Sequence, residues 1–128
     1  TAPDMPESYY RQGFALLTVK QYRLAAKALR IAVELDPGML RHDKLVKQLY
    51  GDNHLVKESH VEQLASAALE NPKNGDLFFL LGAFLGANDE WDRGLPFLRE
   101  AYELADPKPD FLAPLLVPER PEPVEFDT

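Results

Sequence analysis

The sequence predicts an all-α protein, a stack of three antiparallel helix hairpins followed by a proline-rich tail. Three observations carry that prediction. An Asp/Asn-Pro step recurs at Asp36-Pro37, Asn71-Pro72 and Asp106-Pro107, with the prolines 35 residues apart both times. A self-similar period of that size is the signature of stacked structural repeats. Between these steps apolar residues follow helical spacing, and no stretch alternates as a half-buried strand would. After Asp106 the composition changes, because six of the eleven prolines fall between Pro107 and Pro123.

The first helix starts in Asp4-Met5-Pro6-Glu7. Asp4 can accept from exposed amides, Pro6 costs little in a first turn, and Glu7 completes a capping box. Tyr9, Gly13, Leu16 and Leu17 keep helical spacing through Thr18, and Lys20-Gln21 is a short polar break. A second helix over Tyr22–Leu35 puts Leu24, Ala25, Ala28, Leu29, Ala32 and Leu35 on one broad face. Asp36-Pro37-Gly38 ends it, since proline disfavours the helical region at the residue before it. In the middle unit Leu45, Val46 and Leu49 predict one helix over Leu40–Tyr50, with Gly51-Asp52-Asn53 as the turn. Leu55, Val56, Leu64, Ala68 and Leu69 predict a longer one over His54–Glu70. Asp76 precedes a helix through Ala87, Asn88-Asp89-Glu90 breaks it, and Trp91–Leu104 closes the third unit. Gly94 and Pro96 inside that last helix predict a kink or a late start.

At 128 residues the chain has the length of one domain. The units span about 6–38, 39–73 and 75–108 of a repeat domain over 1–108, and the tail is 109–128, with Val117-Pro118 through Pro123 extended or polyproline-like. The formal charge is −7, from 21 acidic and 14 basic residues, which argues against a general nucleic-acid binder. From Asp106 onward there are six acidic and two basic residues. No apolar run approaches the roughly 18 residues that span a bilayer. Zero cysteines exclude disulfides and thiolate ligands but leave the compartment open. The chain opens on Thr1, as a processed or excised product would, so localisation stays undecided between cytoplasm and export after loss of a signal peptide.

Two of the units share a finer code. Tyr9, Gly13, Ala25, Ala32 and Pro37 in the first match Phe78, Gly82, Gly94, Ala101 and Pro107 in the third, with 12 residues from glycine to the next small residue and 7 more to the following one. Tyr22 matches Trp91, Leu16 matches Leu85 and Leu29 matches Leu98, each 69 residues apart. In this the chain resembles the tetratricopeptide repeat family, whose consensus has these residue types at these spacings. The middle unit departs from the pattern, keeping Ala67 but placing Gln48 and His60 at the other two small positions. The resemblance ends after residue 108. It implies a right-handed superhelix in which the first helix of each hairpin lines a concave face that contacts a peptide. On this chain the outward positions of those helices are Tyr10, Phe14 and Leu17, then Leu45 and Leu49, then Phe79 and Ala83. The carboxylate-clamp residues of the family are missing at those positions, which leaves either an apolar, aromatic trough or ordinary packing of these residues against the adjacent repeat.

The function that follows is non-catalytic: a scaffold or adaptor that binds another protein or peptide segment. An exposed trough would be covered by something. The apolar Phe111, Leu112, Leu115, Leu116 and Val117 are candidates to dock there, in cis or, through self-association, on a neighbouring copy. A second class is a capping or spacer segment of a larger repeat protein. A third, a small hydrolase, would need convergent carboxylates in a polar pocket. No catalytic residue, metal ligand or cofactor site is assigned. Ser8, Ser59 and Ser66 lie in no nucleophile elbow, and the glycines form no phosphate loop. His42, His54 and His60 are too few and too scattered for a zinc site, although His54 and Glu58 share a helix face.

Overall fold

The structure, a computed structural model, describes residues 5–117, and every regular element within them is helical. The elements are α1 (Pro6–Thr18), α2 (Tyr22–Leu35), α3 (Pro37–His42), α4 (Leu45–Tyr50), α5 (His54–Glu70), α6 (Gly75–Ala87), α7 (Trp91–Leu104) and α8 (Ala113–Leu116). The predicted Asp4 cap and the polyproline stretch from Pro118 lie outside the described residues. Met5 holds the N-cap position of α1 without a side-chain cap.

Two hairpins, α1–α2 and α6–α7, are each closed by a three-residue turn and pack along their length. The turns match at the 69-residue offset, with Lys20 at φ 65 and Asp89 at φ 64 in the left-handed region. The helix crossings match as well. A Cβ on Gly13 would lie 2.5 Å from Leu29 Cγ and 3.3 Å from the Ala25 carbonyl oxygen. A Cβ on Gly82 would lie 2.7 Å from Leu98 Cγ and 2.8 Å from the Gly94 carbonyl oxygen. Backbones approach this closely only where no side chain intervenes. α7 starts at Trp91 and runs unbroken through Pro96, so the expected late start does not occur.

α6 is the centre of the molecule. Every residue from Phe79 to Ala87 is buried, and the helix packs against α2, α3, α4, α5 and α7. A helix that is apolar all round can only be stable with neighbours on all sides. Its N-terminus is held by Asn74, whose side chain accepts from the Asp76 amide at 3.1 Å.

The middle unit corrects the sequence reading. The expected helix over Leu40–Tyr50 is two short ones, α3 and α4, separated at Asp43-Lys44 with Lys44 at φ 52, ψ 45. Asp36-Pro37 sets where α3 begins. Instead of only ending α2, Asp36 caps α3 by accepting from the Met39 amide at 3.2 Å, and Pro37 takes the first helical position. α5 has the expected span, but Leu55 and Leu69, expected on its apolar face, are 85% and 80% exposed. Leu64, Ala68 and the stem of Lys57 are what it buries. The Lys57 ammonium reaches Asn88 Oδ1 at 3.0 Å, tying α5 to the α6–α7 turn.

Candidate functional site

The helix faces expected to line a trough are mostly interior. Tyr10, Phe14, Leu17, Leu45, Phe79 and Ala83 are all buried, and only Leu49, 52% exposed, is open to solvent. Interior packing, rather than an accessible apolar concave face, is what these positions show. The physical reason is coverage by the chain itself. The Tyr10 hydroxyl donates to the Asp36 carbonyl at 2.6 Å, and Phe14 meets Phe84 of α6 edge-on at 6.4 Å between centroids. What remains open between α1 and α4 is a hollow of about 210 Å³, floored by Phe14 and Leu45 and rimmed by Arg11, Gln48 and Leu49.

Phe79 is covered by the segment after α7. Phe111 stands edge-on to Phe79 at 5.2 Å, with the Arg30 guanidinium 5.1 Å above its ring. Leu112 and Leu115 are buried, Phe111 and Leu116 partly so, and Val117 is exposed. The Val117 carbonyl accepts a long hydrogen bond of 3.5 Å from Arg41, whose guanidinium also lies 4.4 Å from the centre of the Trp91 ring. The segment therefore lies across α2, α3, α6 and α7 of its own chain. Sequence reasoning identified its apolar residues but missed Arg30 and Arg41, which hold it by cation–π and carbonyl contacts. Arginines spaced along amphipathic helices give no signal of which aromatic they will meet.

Beside this segment lies a cleft of about 680 Å³. Its floor is Phe79, Ala101, Leu104 and Leu112, and its rim carries both signs, with Arg30, Lys73 and Lys108 facing Glu34, Asp76 and Asp106.

The titratable groups displaced from their ordinary values lie elsewhere. Burial pushes the Tyr50 phenol up to about 12 and the Tyr22 phenol up in the same sense. Tyr10 is raised by burial first and by the Asp36 charge second. Burial works against the Glu90 carboxylate, yet hydrogen bonds from Asn88 and Arg93 and the charges of Arg93 and Lys57 hold it below the usual range. None of the four lines the cleft, and each is explained by packing or by a turn. Tyr50 and His60 share a 2.5 Å hydrogen bond that links α4 to α5, so His60 serves as a packed, bonded side chain. Among the described residues no group of three or more His, Asp or Glu side chains is placed to hold a metal ion. No helix among them is long and apolar enough to cross a membrane. No protein family, curated protein or solved structure matches the chain.

Proposed function

We propose that this protein is a non-catalytic interaction module, of tetratricopeptide-repeat-like build, that holds a peptide or helix on the apolar surface formed by α2, α6 and α7. The observation that carries the reading is the seat of Phe111. The chain's own segment, with Phe111 against Phe79 and Leu112 and Leu115 buried, supports the reading that this surface takes an apolar segment. Recognition rests on apolar complementarity at the floor, with the mixed rim rejecting segments of unsuitable charge. The tail segment is then the resident occupant with which an outside partner competes. Its effective concentration is high because it is tethered to α7 by a short connection.

The test uses a labelled synthetic peptide with the sequence of residues 109–117 and the full-length chain. Replacing Phe111 and Leu115 together by alanine should loosen the resident segment and tighten peptide binding by about tenfold or more, as removal of a tethered competitor predicts. Equal, negligible binding by both chains would overturn the reading. A spacer role within a longer repeat array is the second reading. It is favoured by the exposed Leu55 and Leu69 of α5, a face that another hairpin could cover.

A further inference from the structure

In a chain of net charge −7, one helix face is strongly basic. Lys20, Arg23, Lys27 and Arg30 hold four of the 14 basic residues within eleven positions. The rest of the chain has ten basic against 21 acidic residues, a charge of −11. Spacings of three and four place Arg23, Lys27 and Arg30 on one side of α2, and Lys20 stands in the turn that leads into it. All four are exposed. Among the described residues their one ion pair is the 3.4 Å contact of Arg30 with Glu34, itself exposed. Like charges four apart disfavour a helix slightly, and an ordinary solvated face mixes signs. Leu24 lies within the stripe, 48% exposed. Beside it is a hollow of about 260 Å³ that Leu24 and Ala26 floor and Arg23, Lys27, Arg30 and Asp76 rim.

We infer that this face of α2 docks an acidic protein segment that presents several carboxylates and one apolar side chain. Charge complementarity sets the sign of the partner. The stripe's length sets its size, since ten residues of helix extend about 15 Å. A short acidic helix or strand meets the stripe alone. A nucleic acid runs on past it toward Glu34, Asp76 and an otherwise acidic surface, and screening over about 8 Å leaves those phosphates no compensating cations. The hollow at Leu24 gives the carboxylates a fixed register, which a diffuse counterion layer lacks. The surface adjoins the cleft at Phe111, and Arg30 and Asp76 border both.

The experiment is fluorescence anisotropy on the full chain at near-physiological salt. The probe is a peptide of about 14 residues, long enough to match the stripe, with glutamates at helical spacing and one central leucine. Reversing Arg23 and Lys27 (Arg23→Glu with Lys27→Glu) should weaken binding about tenfold or more, and Leu24→Ser should weaken it about threefold, with helix content unchanged by circular dichroism. A probe with glutamine in place of glutamate should bind as weakly as the charge-reversed chain does. Binding that is absent, or indifferent to the reversal, overturns the inference. So does a single-stranded oligonucleotide that binds more tightly than the peptide and responds to the same substitutions. Self-association of the wild-type chain that the reversal abolishes would assign the face to a second copy instead.

Discussion

At the two hairpin crossings the glycines have unequal neighbours, and this makes them unequally replaceable. A methyl on Gly13 meets mainly the buried Leu29 side chain, at 2.5 and 2.6 Å, with the Ala25 carbonyl oxygen farther off at 3.3 Å, so relief there needs packed side-chain atoms rather than backbone to shift. A methyl on Gly82 meets the Gly94 carbonyl oxygen at 2.8 Å as well as Leu98, and the backbone cannot turn. Gly82→Ala should therefore destabilise by about 1–3 kcal/mol through overpacking, and Gly13→Ala by less, measured by urea unfolding. Equal costs would show that the α6–α7 separation adjusts as freely as that of α1–α2. Tyr50 makes a second residue-scale prediction, in pH. Its phenol is raised by burial from the ordinary 10 to about 12, so the folded state holds that proton more tightly than the unfolded chain. The associated stability is fully present below pH about 10 and is lost as pH rises through about 12. Tyr50→Phe, which has no proton to lose, should flatten the fall of stability with pH in that window. Some slope should remain from Tyr10 and Tyr22, which burial raises in the same direction. A slope as steep as that of the wild type would mean Tyr50 ionises freely in the folded protein.

At the scale of elements, α5 separates what spacing can tell from what it cannot. Leu55, Leu64 and Leu69 all read as apolar-face residues. Only Leu64 is buried, because α5 packs chiefly on α6 and, among the described residues, its outer side is left exposed. Leu64→Ala should cost about 2–5 kcal/mol, whereas Leu69→Ala should stay within about 0.5 kcal/mol of neutral, both by thermal or urea unfolding. Comparable costs would place Leu69 in a contact of its own. The all-helical character and the spans of α2, α5 and α7 were legible, since each is bounded by a polar turn or a proline step. The break between α3 and α4 was not. Asp36-Pro37, Asn71-Pro72 and Asp106-Pro107 look alike in sequence, yet the first caps a new helix at once, the second opens a turn before α6, and the third is a cis peptide. An Asp/Asn-Pro step supports both a helix cap and an open turn, and its tertiary surroundings choose between them. Site residues were least legible for the same reason. Tyr10 and Phe14 have the types and spacing of a binding face, but whether a face is open depends on what later residues lay over it.

For the whole molecule the question is whether residues 111–117 belong to the fold or rest upon it. Leu112 and Leu115 are as deeply buried as the leucines of α6, which argues for membership. α8, however, is only four residues long and has α7 as its main helical neighbour, while Val117 is held through one long hydrogen bond. Segments with few buried contacts open independently of the global transition. Leu115→Ala should then strip amide protection from Leu112, Ala113 and Leu115 and raise binding of a hydrophobic dye, as the floor around Phe79 comes into contact with solvent. The unfolding midpoint of the remaining helices should move much less than in Leu64→Ala. Hydrogen exchange read by mass spectrometry resolves the two, because local opening exposes the C-terminal peptide alone while global loss exposes α6 with it. If α6 and the segment lose protection together, and the midpoint falls as far as for Leu64→Ala, the segment is core. A partner would then have no groove to claim by displacing it. If the segment opens by itself, the helical fold carries a detachable cover, and the surface beneath is available at a cost set by that local opening rather than by unfolding.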